Sequence, residues 1–73
     1  MFNKTGAITS EIIMVARDLA AGGRGDVPTK RAALVAAHGP SAGVAFDTAH
    51  EAIVSGGKPS KIYRSIEAII AHA

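Results

Sequence analysis

Lys58-Pro59-Ser60-Lys61-Ile62-Tyr63-Arg64-Ser65-Ile66 joins a helix start, an apolar stripe and the densest positive charge of the chain. Proline suits the first turn of a helix, where its missing N–H has no partner to lose, and a serine there can cap by accepting from the free N–H groups. Ser60 is therefore expected to cap the helix. From this start Ile62, Ile66, Ile69, Ile70 and Ala73 recur at helical spacing, which writes one face to be buried. Pro28-Thr29 and Pro40-Ser41 repeat the same grammar upstream. Gly22-Gly23, Gly39 and Gly56-Gly57 supply the stops between them, because glycine tolerates the left-handed conformation in which helices end.

Worked outward, this punctuation predicts an all-α fold, a compact bundle of four short helices forming a single domain over residues 1–73. The first helix runs from Thr9 or Ser10 to Ala21, with Ile12, Val15, Ala16, Leu19 and Ala20 inward. The second runs from Thr29 to His38 around Ala33, Leu34 and Ala37. The third runs from Ser41 to Ser55 with Ala45, Ala49, Ala52 and Ile53 along one stripe, and the fourth from Ser60 nearly to the C-terminus. Apolar residues do not alternate anywhere, so no strand is expected. The third and fourth helices share a Pro-Ser start and a Glu-Ala-Ile near their ends (Glu51-Ala52-Ile53, Glu67-Ala68-Ile69), which is helix grammar rather than a repeat array. Residues 22–27 make the longest loop and the expected most mobile segment.

A domain of 73 residues is small, and one of about 60 residues buries only ~60% of the surface of its unfolded chain. Such domains are commonly reinforced by disulfides, metals or oligomerisation. There is no cysteine, which removes disulfides and thiolate zinc sites. Fifteen alanines make up much of the 48% apolar content, while Phe2, Phe46 and Tyr63 are the only aromatics. Self-association as a homodimer or higher oligomer, through an alanine- and isoleucine-rich face, is the expected reinforcement.

The formal net charge is +2, well short of a histone-like or heparin-binding balance. Its distribution says more. Lys30 and Arg31 stand together, Lys58, Lys61 and Arg64 form a cationic edge beside Tyr63, and between residues 32 and 57 the only full charges are Asp47 and Glu51. Ile12-Ile13-Met14-Val15-Ala16 is five apolar residues long, against roughly 20 needed to span a bilayer. With no leader-like segment visible either, the reading is a cytoplasmic protein without a membrane partner.

No catalytic or cofactor motif is present, so the expectation is a non-enzyme with no cofactor and no metal. Asp47, His50 and Glu51 share a helix face at i, i+3 and i+4, yet His38 and His72 belong to other helices and do not complete a metal site. Those two histidines lie near helix C-termini, where the macrodipole favours a cation. Arg24-Gly25-Asp26 matches an adhesion tripeptide and reads as a turn. Gly22-Gly23-Arg24-Gly25 lacks the lysine and hydroxyl of a phosphate-hydrolysing loop, which leaves open passive binding of a phosphate-bearing ligand near Arg24, Lys30 and Arg31.

Two segments are similar to parts of a helix-turn-helix. Leu34-Val35-Ala36-Ala37-His38-Gly39-Pro40-Ser41 resembles its first helix and turn, but the following helix offers no Lys or Arg for phosphates. Ser60-Lys61-Ile62-Tyr63-Arg64-Ser65-Ile66 resembles the recognition helices of bacterial regulators over about a dozen residues. It departs from that pattern at Glu51 and Ser65, where apolar residues belong. That resemblance implies a DNA-binding regulator that uses the last helix. The reading preferred from the residues is a small interaction protein, an inhibitor or adaptor of a bacterial or bacteriophage system. It would bind a macromolecule through Lys58, Lys61, Tyr63 and Arg64, with Lys30 and Arg31 as further cations. An acidic protein surface is the expected partner, and duplex DNA the second choice.

Overall fold

A computed structural model describes residues 4–73; Phe2 lies outside them. Four helices follow in order: α1 Lys4–Ala20, α2 Val27–His38, α3 Pro40–Val54 and α4 Pro59–Ala71. The described residues contain no strand.

α1 starts about a turn and a half earlier than Thr9 or Ser10 would have it. Ile8 continues the Ile12 stripe one turn back, and Thr9 is a buried helical residue rather than a cap. Its hydroxyl donates to the Thr5 carbonyl at 2.8 Å, so the buried oxygen keeps a partner.

The prolines mark the helix starts as expected, but the hydroxyl residues do not cap them. Lys58 is the N-cap of α4, with ψ 134°, and Gly39 is the N-cap of α3, with ψ 174°. A proline disfavours the helical region for its predecessor, which makes Gly39 and Lys58 the boundaries and moves Ser41 and Ser60 inside the helix; in α2 Val27, before Pro28, is already helical and the boundary falls at Asp26. α2 is capped by Asp26, whose carboxylate accepts from the Thr29 N–H at 3.4 Å.

Both double glycines end their helices by the same bonds. Gly22 has φ +89° and donates to the Leu19 carbonyl, while Gly23 donates to that of Asp18; Gly56, with φ +80°, and Gly57 repeat this onto Ile53 and Ala52. This is the paired 6→1 and 5→2 closure of a Schellman motif.

α1 and α3 each pack against every other helix, whereas α2 and α4 do not touch and flank that central pair. Phe46 of α3 is fully buried and is the largest such side chain, surrounded in the core by Ile12, Ala16, Leu34, Ile62 and Ile66. Ala42, Gly43, Ala45 and Ala49 are buried along the same helix, and their small size lets its neighbours approach. The α4 stripe is as the spacing predicts, with Ile62 and Ile66 buried and Ile69 and Ile70 half-buried; Ala73 is exposed. The α2 stripe is narrower. Leu34 alone is buried there, while Ala33 and Ala37 face solvent, as does Ala20 of α1. α2 rests on the bundle along one edge only, so a single large side chain suffices to seat it.

Candidate macromolecule-binding surface

α4 presents the cationic edge on a rigid support. Its buried Ile62 and Ile66 fix the rotation of the helix, and that rotation leaves Lys58, Lys61 and Arg64 exposed. At about 100° per residue, Lys61 and Arg64 stand about 60° apart around the helix, whereas Tyr63 lies about 160° from Lys61. Tyr63 is half-buried beyond the apolar stripe, so it does not sit beside the cations as the linear sequence suggests. Lys58, Lys61 and Ser65 instead border a small cleft of about 140 Å³ against α3, with Thr48, Ala52 and Gly57 on its other side.

The second pair of cations is divided. Arg31 is half-buried, and its Nε–H is 3.0 Å from both carboxylate oxygens of Asp47, which joins α2 to α3. That hydrogen bond and the Asp47 charge raise the guanidinium pKa above its ordinary value, so Arg31 is a fixed cation already matched by its anion. Its guanidinium and Val35 lie over Gly43, where even a Cβ would come within 3 Å of them. Lys30, next in sequence, is exposed and lines an open hollow between α1 and α2. Since α2 and α4 do not touch, Lys58, Lys61 and Arg64 form one surface, Lys30 belongs to another, and Arg31 serves the α2–α3 seam.

The other singled-out residues are accounted for locally. Asp47 is engaged by Arg31, and the His50 ring stacks on Phe46 with centroids 5.8 Å apart and planes 27° from parallel. His38 Nε2 stands 3.2 Å from Glu11 Oε2, tying the end of α2 to α1; His72 is the C-cap of α4. Asp26, the last residue of Arg24-Gly25-Asp26, is committed to its capping role. Its bond to Thr29 draws the carboxyl pKa below the ordinary value. Among the described residues, no three His, Asp or Glu side chains converge as metal ligands. None of their helices is long and apolar enough to cross a membrane.

No family model matches the chain, and neither the curated proteins nor the solved structures contain a significant match to it.

Proposed function

We propose that this chain is a small interaction protein, an adaptor or inhibitor, that acts by binding an acidic protein surface through the α4 edge. One observation carries the reading. Lys58, Lys61 and Arg64 are exposed on a helix held by buried isoleucines, and among the described residues the only salt-bridge contacts are Arg31–Asp47 and the His38–Glu11 hydrogen bond. The three α4 cations thus reach solvent without an ion pair among the described residues, which favours complementarity to a negative partner surface.

A second reading rests on the shape of the same helix. Beside its cations, the exposed residues of α4 are Pro59, Ser60, Ser65, Ala68 and Ala71, all with small side chains. A face this narrow suits a helix lying in the major groove. The two readings part on salt and sequence. Duplex binding through these residues would weaken by about 0.9 log units per log unit of salt for each phosphate neutralised.

The triple exchange Lys58→Glu, Lys61→Glu, Arg64→Glu decides between them. The adaptor reading expects negligible duplex binding in a gel shift near physiological salt. It also expects capture of a protein partner from the native host by the wild type but not by the triple variant. Salt-sensitive, sequence-selective duplex binding that the exchange abolishes would replace it with the DNA reading. If neither assay responds to the exchange, the edge is only solvated surface.

A further inference from the structure

An open hollow lies away from α4, between α1 and the start of α2. This open depression, of about 540 Å³, has Val15 and Leu19 among its apolar lining and Arg17, Asp18 and Lys30 among its charged lining. Met14 borders it and is 69% exposed, the most exposed of the large apolar side chains among the described residues. Val44 and Val54, the next most exposed, line neither this hollow nor the cleft beside α4. The patch therefore combines a flexible apolar protrusion with an apolar hollow. Methionine is unbranched and polarizable, and it adapts to irregular gaps.

Its charges point to the same kind of partner. Among the described residues Asp18 has no ion-pair partner, and neither do Arg17 and Lys30, although all three line one hollow. A patch holding both signs is a poor match for a polyanion or for an acidic surface. It is a good match for itself, because a two-fold interface sets each patch against its own copy and needs residue i to meet j while j meets i. Two-fold apposition would set Asp18 of each copy against the cations of the other and offer each Met14 the opposite hollow. Ala33 and Ala37 lie three and seven residues beyond Lys30 and are exposed, so α2 continues this flank with small side chains that let a second backbone come close. A stable interface covers about 800 Å² per partner, roughly a sixth of the 4721 Å² accessible here.

We infer that the α1–α2 flank around Met14 is the two-fold interface of a homodimer, with Met14 seated in the partner copy's hollow and Asp18 paired with its Lys30. No residue of α4 lines this hollow, so the cationic edge lies outside the proposed contact.

Light scattering on a sizing column, over a concentration series into the micromolar range, tests this. The wild type should approach twice 7.4 kDa. Met14→Glu should remain a helical monomer throughout, while Val54→Glu, on another surface, should dimerise like the wild type. Asp18→Lys and Lys30→Glu should each raise the dimer dissociation constant about tenfold or more, and the double exchange should restore most of the loss. The restoration decides the matter even if Met14→Glu fails to fold. A wild type that stays monomeric overturns the proposal. So does a dimer indifferent to Met14→Glu, or one in which the two charge exchanges add without rescue. The triple exchange on α4 should leave the dimer mass unchanged, so loss of partner binding and loss of dimerisation are read separately.

Discussion

The α2–α3 seam and the outer edge of α4 use the same residue types for opposite ends. In the seam, Arg31 lies over Gly43 and closes on Asp47, so its charge is matched inside the fold. On α4, Lys58, Lys61 and Arg64 stand on the solvent side of a helix whose isoleucines do all the packing, and no carboxylate pairs with them among the described residues. A cation in the sequence is thus either a fastener or an outward-facing group. What separates them is whether the facing helix brings an anion within reach.

The comparison breaks most sharply at the apolar support of α4. Ile66 is fully buried, and Ile66→Ala should cost about 2–5 kcal/mol through lost burial and the cavity left behind. Thermal and denaturant unfolding measure it. An unchanged midpoint would mean that α4 is not seated by this residue, and the edge it carries would lose its fixed geometry.

The seam is tested next by Gly43→Ala. In an open helix this exchange gains about 1 kcal/mol in propensity. Here the new Cβ would stand 2.8 Å from Val35 Cγ2 and 2.9 Å from Arg31 Cζ. Arginine can swing aside, but a β-branched valine is stiff, so α2 must move. A net loss of about 1–3 kcal/mol is expected; a gain would show that α2 rides more loosely on α3 than the packing indicates.

The ion pair itself should matter less than the glycine beneath it. Arg31 and Asp47 side chains are 40% and 54% exposed, and solvent-screened pairs are worth at most about 1 kcal/mol. Arg31→Ala should therefore lower stability by less than Gly43→Ala does. Lys61→Glu, on the open edge, should change it by less than about 0.5 kcal/mol. A larger loss for Lys61 than for Arg31 would invert the distinction between fastener and open cation.

The smallest expected effect is in the pH dependence. The Asp26 carboxyl has a lowered pKa in the folded chain because it accepts from Thr29. Its contribution is therefore present above the unfolded value of about 3.9 and is lost as pH falls through the lower folded value. Asp26→Asn keeps a capping oxygen without titrating. Its melting temperature should fall less steeply than that of the wild type between about pH 4 and pH 2. Parallel pH profiles would show that the cap bond contributes nothing measurable.

Helix number, order and most boundaries were legible in the sequence because proline and glycine act on their own backbone. Pro28, Pro40 and Pro59 open helices, and Gly22, Gly39 and Gly56 close them with positive φ, whatever surrounds them. The start of α1 was not legible, since no proline or glycine marks it and Ile8 joins the stripe only once a core exists to receive it. Phe46 was missed for a related reason. The pattern of α3 is a run of small residues, and an alanine stripe does not say which flank carries the one large side chain that the other helices surround. Of the candidate binding residues, Lys58, Lys61 and Arg64 could be grouped from their spacing. The place of Tyr63 on the far flank follows from helix geometry applied around the buried isoleucines. The partnership of Arg31 with Asp47, sixteen residues away, left no local signal.

The sequence by itself determined that the chain makes four helices and where three of them begin, because those choices lie within a few consecutive residues. Only the tertiary structure decided which alanines are inside and which arginine is matched. It alone left Met14 beside an open hollow between α1 and α2. Those outcomes depend on how helices distant in sequence are rotated and spaced against one another. That rotation is set by the few large side chains, Phe46, Ile12 and Ile66, that are fully buried in the shared core.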